Sequence, residues 1–437
     1  MESTYSERDA LMKIFRAAID AANPYRAVKK HAQLIKKSLL AGEYKNLIVI
    51  GFGKASVPMA KAAEEVLGDF LKEGIAITKY GHASEKPDKF RVFEAGHPIP
   101  DENGVKATAG AIALIEKNRD PDNLILALIS GGGSALLVSP CKGISLKEKQ
   151  KTTDLLLRSG ADITEVNSVR KHLSAVKGGR LAGLACPAGI ISLILSDVIG
   201  DRLDVIASGP TAPDSSTYKD AVSVLEKYRL MEKAPARVLS LLKKGVEGAL
   251  PETPKEGDPV FKKVENRIIG SNRIALKAAT KKAVDLGFEA EVLSSEVAGE
   301  AREAGKELAI KGKKLKKEKR KTPLCLISGG ETTVNIKGKG IGGRNMELAL
   351  SFAIEIAGLT GVTLLSAATD GTDGPTDAAG AFADGKTAVK GKEKGLSANC
   401  SLENNDSYTF FKRTGDIFIT GPTGTNVMDI QILLLGT

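Results

Sequence analysis

The stretch Asn123-Leu-Ile-Leu-Ala-Leu-Ile-Ser-Gly-Gly-Gly-Ser-Ala-Leu136 constrains the fold more than any other. Its first seven residues, six of them aliphatic or alanine, read as a buried strand. The run stops abruptly at Ser130-Gly131-Gly132-Gly133-Ser134, and an apolar helical pattern resumes straight after. Strand, glycine turn and helix in that order set bare backbone N–H groups and a helix N-terminus at the carboxyl end of a strand. Such a place suits an anion, most often phosphate. The device recurs about 200 residues later at Leu324-Cys-Leu-Ile-Ser-Gly-Gly-Glu-Thr-Thr333. Two such elements predict two lobes facing one ligand.

A chain of 437 residues is too long for one ordinary core. The spacing predicts domains at 1–250 and 260–437, joined by a Pro-, Glu- and Lys-rich linker near 248–260. Strands alternating with 10–15-residue helices predict an N-terminal doubly wound, Rossmann-like α/β/α domain. A second α/β domain with a mixed sheet follows, opened by a strand at Arg267–Gly270. One helix is expected over 167–185 and another over 345–357, entered from the glycine loop Gly338–Asn345. Asp416–Ile419 and Asp429–Leu434 read as a final pair of strands.

The net charge of +10 suggests nucleic acid until its source is located. The run Lys311–Lys321 holds eight basic residues and one acid, so it carries +7 and leaves about +3 for the rest. No aromatic residue interleaves with it, as base stacking would require, and it reads as a solvated helix end. The expectation is therefore no nucleic-acid partner. Cys141, Cys186, Cys325 and Cys400 are far apart and form no C-x-x-C pair, which fits a reducing compartment. No apolar run reaches 18 residues, so no membrane partner and a cytoplasmic location are expected. Absent Trp, scarce Gln and abundant Lys and Glu hint at a thermophilic source.

Gly51-Phe-Gly53-Lys54-Ala-Ser56 begins like a dinucleotide fingerprint, but Ser56 stands where the third glycine belongs. The next strand ends in Thr78-Lys79, where a ribose-holding carboxylate is expected. What remains is a lysine in a glycine turn, either solvated or set to bind substrate or phosphate. Asn167–Arg180 is dense in cations, with Arg170 and Lys177 as binding candidates or as a solvated helix surface. Asp197 places a carboxylate at the carboxyl end of a strand. Asp370-Gly-Thr-Asp373-Gly-Pro-Thr-Asp377 fits Mg²⁺, which is commonly held by one or two carboxylates plus phosphate oxygens, or else plain Asx turns. Arg344, beside Asn345 at a glycine loop, fits bidentate recognition of phosphate or carboxylate. No histidine sits in a nucleophile-elbow context, so Ser-His-Asp hydrolysis is not expected.

Taken together, these motifs resemble the MOFRL-type, class II glycerate 2-kinases over almost the whole chain. The resemblance rests on Gly51–Ser56, Gly96-His-Pro-Ile-Pro-Asp101, Ser130–Leu136, Asn167–Gly179, Leu195–Asp201 and Ala207–Thr211. It continues in Ser328–Thr332, Gly342–Asn345, Thr369–Gly380 and Thr420–Asp429. It implies an ATP- and Mg²⁺-dependent enzyme with its active site in an interdomain cleft, phosphorylating D-glycerate as a monomer or homodimer. Lys54, Arg344 and Asp197 match the proposed catalytic groups. Gly53, Ser56, Ser130, Gly131, Gly132, Gly133, Ser134, Asn167, Arg170, Lys177, Gly329, Gly330, Glu331, Asn345 and Thr425 would line the substrate and nucleotide sites, with Asp370 and Asp373 at the metal. The rival readings are an NADPH-dependent hydroxypyruvate reductase and a non-catalytic phosphosugar-binding protein.

Overall fold

The computed structural model describes residues 6–83 and 85–436. The chain forms two compact units that are not simple halves of the sequence. The first takes Pro24–Ser196 and Asp201–Ile269; the second takes the residues up to Asn23, the stretch Asp197–Gly200 and the chain from Gly270 onward. Helix α1 (Glu7–Ala21) thus precedes the first unit in sequence but packs in the second.

The first unit holds strands β1 (Asn46–Phe52), β2 (Leu71–Lys79), β3 (Phe90–Ala95), β4 (Asn123–Ile129), β5 (Gly189–Leu195) and β6 (Val264–Gly270), in the order β3-β2-β1-β4-β5-β6. The pairs from β3 through β5 are all parallel. Strand order reverses between β1 and β4, the switch point at which doubly wound sheets collect ligands. Every residue of β4 is buried, as befits a central parallel strand covered on both faces. The strand expected to open the second domain is instead the edge strand β6 of this first sheet. Pairing across a sheet is non-local and leaves no mark on the strand's own sequence.

The helices of this unit are α2 (Pro24–Leu40), α3 (Ser56–Leu67), α4 (Glu102–Lys117), α5 (Gly133–Leu136), α6 (Leu146–Arg158), α7 (Ile163–His172), α8 (Arg180–Ala185), α9 (Tyr218–Lys227) and α10 (Ala236–Val246). The helix expected over 167–185 is broken in two. Gly178 and Gly179 adopt φ +57° and +78°, outside helical space, and Arg180 donates to the carbonyls of Lys171 and Ser174 at the end of α7. Leu156, Val169, Leu225 and Leu242 join α6, α7, α9 and α10 in a satellite core.

The second unit holds β7 (Glu289–Val297), β8 (Leu324–Gly330), β9 (Val362–Ala368), β10 (Gly380–Asp384), β11 (Ile417–Phe418) and β12 (Asp429–Leu435), in the order β11-β10-β9-β12-β8-β7. Only β7 and β8 run parallel, which makes the expected mixed sheet. The final pair of strands does not form, because β12 inserts between β8 and β9 while β11 lies at the far edge. Around the sheet lie α11 (Asn272–Asp285), α12 (Ala301–Lys316), α13 (Arg344–Glu355), α14 (Thr387–Glu393), α15 (Ala398–Glu403) and α16 (Ser407–Thr414). Helix α1 buries Leu11, Ile14, Phe15 and Ala18 against this unit, with the Phe15 ring edge-on to Phe418 at 5.3 Å. Part of the basic run is spent on packing: Lys313 donates to the Glu355 carbonyl and Lys316 to that of Gly436.

Ser328-Gly-Gly departs from expectation. It is not a turn but the end of β8, paired with Gln431, Ile430 and Asp429 of β12. A side chain at Gly329 would sit 2.2 Å from Asn272 Oδ1, and one at Gly330 would sit 2.1 Å from the Val297 carbonyl. These glycines let neighbours approach closely; they do not free backbone donors for a ligand.

Candidate active site

In the first unit the ends of β1 and β4 are locked together at the switch point. Gly53 has φ +122°, and a Cβ there would lie 2.2 Å from Ser130 Oγ. Only glycine fits. The Lys54 N–H donates to the Gly131 carbonyl at 2.9 Å, and the Ala55 N–H donates to Ser130 Oγ at 3.1 Å. Lys54 itself is half-buried. Helix α5 is a single turn, and the Ser130 and Gly133 N–H groups already donate to the Phe52 and Ser130 carbonyls, which leaves Gly131 and Gly132 as the candidate backbone donors of the turn.

His97 belongs to this turn although sequence reasoning left it out of the site. A side chain at Gly132 would come within 2.8 Å of its ring. Burial, with Lys54 and Lys79 nearby, pulls the His97 pKa down to about 4, so the ring is neutral near pH 7. The signal was available in Gly96-His97-Pro98, but an isolated histidine is more often structural.

Ser134, Asn167 and Arg170 converge beside this turn. Arg170 Nη2 donates to Ser134 Oγ at 2.7 Å, the Ser134 and Ser208 hydroxyls lie 2.7 Å apart, and Ser208 Oγ donates to Asn167 Oδ1 at 3.0 Å. Lys177 is fully buried and donates to the Ala207 carbonyl at 3.3 Å. Burial drives its pKa well below the ordinary lysine value, with Arg170 and Lys149 adding repulsion. Ser56, by contrast, is fully buried and gives its hydroxyl to the Ile77 carbonyl, tying α3 to β2. Asp197 is half-buried, two residues beyond β5.

In the second unit the centre is Arg344 at the first turn of α13. Asp429 grips it from the start of β12, accepting from Nε at 2.6 Å and Nη2 at 3.0 Å, while Glu331 lies 2.8 Å from Nη1. Burial opposes the guanidinium charge, but Asp429, Glu331 and Asp373 outweigh it and hold the pKa above the ordinary arginine value. Burial raises the pKa of Asp429 even with its partner in place. Beside Arg344 opens a cavity of about 470 Å³, lined by Thr332, Val334, Ile336, Gly342, Gly343 and Glu347 among others. Asn345 and Thr425 serve the fold: Asn345 Oδ1 accepts from Ser366, and Thr425 donates to the Ala22 carbonyl behind α1.

The acidic loop divides its labour. Asp373 is buried and caps α13, its two oxygens accepting from the Asn345 N–H at 3.1 Å and the Met346 N–H at 2.8 Å. Asp370 is half-buried, with Oδ1 accepting from the Thr372 N–H at 3.0 Å in an Asx turn. Among the described residues no group of three His, Cys, Asp or Glu side chains is placed to hold a metal alone. A single carboxylate with substrate phosphates fits the way Mg²⁺ is commonly held, and Asp370 meets that need better than Asp373.

The Asp373 cap has a pH signature. Burial pushes its pKa up to about 7, against the two cap N–H groups that favour the charged form. The folded state therefore binds this proton more tightly than the unfolded chain, whose aspartate titrates near 4. The resulting stabilisation is full below about pH 4 and is lost as pH rises towards 7. Asp373→Asn cannot titrate, so the stability difference between wild type and variant should change with pH across this window and flatten above it. Thermal melts at half-unit pH steps check this; a pH-independent difference would reject it.

A doubly wound unit with a glycine turn at its switch point, followed by a mixed-sheet unit carrying a carboxylate-clamped arginine, defines a two-unit α/β protein. Residues 10–243 match a domain of unknown function, DUF4147, and residues 324–429 match the MOFRL family. The chain is 48% identical over 426 residues to the D-glycerate 2-kinase of Thermotoga maritima, covering 97% of each. It is 43% identical over 441 residues to the glycerate 2-kinase of Pyrococcus horikoshii, covering 98% of this chain and 97% of that protein. The crystal structure of glycerate kinase from Thermotoga maritima matches with a TM-score of 0.89 at 47% identity, covering 98% of this chain and 99% of that one. The chain belongs to the glycerate kinase family that carries a MOFRL domain.

Proposed function

We infer that this protein is an ATP-dependent D-glycerate kinase that phosphorylates the 2-hydroxyl, giving 2-phosphoglycerate and ADP. End-to-end similarity to the D-glycerate 2-kinase of Thermotoga maritima carries the reading. Phosphoryl transfer asks a protein for charge compensation and positioning and for little covalent chemistry. Lys54 and Arg344 offset the charge that spreads over the γ-phosphoryl oxygens. The 2-hydroxyl oxygen bonds to the γ-phosphorus as the bridge to the β-phosphate breaks, and Asp197 takes the hydroxyl proton. When bound, Mg²⁺ neutralises phosphate oxygens, and Asp370 is the residue we assign to it. His97, neutral and against Gly132, completes the wall of the substrate turn.

A reductase would need a carboxylate on the adenosine ribose or a cation for its 2′-phosphate. Strand β2 ends at Thr78-Lys79, which offers no carboxylate to the ribose and only Lys79 to a 2′-phosphate, and Ser56 replaces the fingerprint glycine with a buried side chain. Hydroxypyruvate with NADPH is therefore expected to give no absorbance change. We assign the protein to the cytoplasm, in keeping with four free cysteines, and among the described residues no helix is long and apolar enough to cross a membrane. The deciding experiment feeds the product straight to enolase with no mutase present. Immediate phosphoenolpyruvate is expected; product that enolase leaves untouched would mean phosphorylation at another hydroxyl.

A further inference from the structure

The loop after β5 holds a strained turn whose purpose the fold alone does not explain. Ala207, Ser208 and Gly209 adopt φ +51°, +62° and +63° in succession. Two consecutive non-glycine residues in left-handed space are strained and persist where the surroundings over-determine them. Here the surroundings are specific. Gly133 lacks a side chain where a Cβ would meet Ala207 Cβ at 3.0 Å, the buried Lys177 ammonium donates to the Ala207 carbonyl, and the Ser208 hydroxyl is 1% exposed between Ser134 and Asn167.

The hydrogen-bond chain through Ser208 has only one direction. Guanidinium can only donate, so Ser134 Oγ accepts from Arg170 and keeps its own hydrogen to give. Ser208 Oγ gives its hydrogen to Asn167 Oδ1, so it must accept from Ser134. The polarity runs Arg170 to Ser134 to Ser208 to Asn167. With its oxygen accepting from Ser208, Asn167 has its amide N–H groups to give, and Arg170 offers the rest of its fork. Such a seat has a donor group at each end, Arg170 and Asn167. Donor groups at both ends favour an anion over a group that must give its own hydrogen.

We propose that the strained Ser208 turn builds the seat for the carboxylate of glycerate, with Arg170 and Asn167 as the contacting donors and Ser208 as a positioning residue that makes the seat selective for a carboxylate. The proposal rests on the kinase reading above and deepens it. Burial lowers the pKa of both Arg170 and Lys177, and of the two the guanidinium is the group that stays charged near pH 7. Losing one hydrogen bond to a charged group costs about 1.5–3 kcal/mol, which is about a tenfold to hundredfold change in affinity.

The test uses Ser208→Gly, which removes the hydroxyl while tolerating the positive φ, so strain and relay are separated. Ser134→Ala cuts the same relay from another element. Each should raise KM for D-glycerate at least about tenfold, leave KM for ATP within about twofold, and weaken D-glycerate binding measured by calorimetry without nucleotide. The double variant should show no further loss, because one relay can be cut only once. Wild-type turnover of D-glycerate is recorded first: no turnover there removes the kinase reading and this inference with it. With wild-type turnover in place, an unchanged KM for glycerate, a shift in KM for ATP instead, or additive losses would overturn the carboxylate seat alone. A variant that melts earlier yet keeps wild-type glycerate affinity would reduce Ser208 to a structural role, and so also overturn it.

Discussion

Arg344→Ala should lower kcat at least about a hundredfold and destabilise the second unit at the same time. The two effects have separate causes, and the structure says how to part them. A transition-state cation of the arginine-finger kind is worth roughly 10³–10⁵ in rate. Arg344 is the residue we propose for that work: Asp429 holds its guanidinium through Nε and Nη2, Glu331 lies against Nη1, and its side chain keeps 31% of its surface open beside the cavity at the start of α13. The stability effect comes from the partner. Asp429 is fully buried, and removing its counter-charge leaves a lone carboxylate in the interior, a loss of about 3–5 kcal/mol. Asp429→Asn added to Arg344→Ala should recover much of the melting temperature and none of the kcat. Arg344→Lys keeps the charge but not the planar fork, so it should hold stability better than alanine and still lose rate. Near-normal kcat in a folded Arg344→Ala protein would sink the assignment.

Much of this arrangement was legible before any coordinates, because the informative stretches are local. Asn123–Ser134 announces a buried strand, a glycine turn and a helix start through composition alone, and the same holds for Asn46–Lys54. The identical-looking Ser328-Gly329-Gly330 was not legible. Its glycines answer to Asn272 and Val297, contacts made across the sheet and distant in sequence. Asp370 and Asp373 looked equivalent as metal candidates, yet the start of α13 claims Asp373 and leaves Asp370 half-open. Nothing in Ala207-Ser208 signals a left-handed turn, since neither residue favours one. That conformation is imposed by Gly133 and Lys177, and only the assembled unit exposes it. The sequence also could not separate cations spent on the fold from those kept for a ligand: Arg180 closes α7, whereas Arg170 reaches Ser134.

The second large effect is expected at Lys54. Lys54→Met should depress kcat at least about a hundredfold, with a change in melting temperature much smaller than that of Arg344→Ala. Its backbone, not its ammonium, holds the turn: the Lys54 N–H donates to Gly131 and its carbonyl accepts from Thr78 Oγ1 at 3.3 Å. Methionine keeps both bonds and nearly the same length of apolar stem, so the folded state loses little. No buried carboxylate is abandoned either, in contrast to Asp429. What disappears is a positive charge at the switch point of the sheet, and Lys79, the other cation acting on His97, lies at the end of the neighbouring strand β2 rather than in the turn. Lys54→Arg then asks whether charge alone suffices. The ammonium is a compact point charge, whereas a guanidinium is broader, and Gly132 and His97 crowd the turn: a Cβ on Gly132 would sit 3.3 Å from Lys54 Cγ and 2.8 Å from the His97 ring. Arginine should therefore recover only part of the rate. Steady-state kinetics with saturating D-glycerate and ATP measures both variants. A methionine variant with kcat within a few-fold of wild type would show that Lys54 only binds or only folds, and the compensation of charge at the γ-phosphoryl would then have to come from Arg344 and the metal alone.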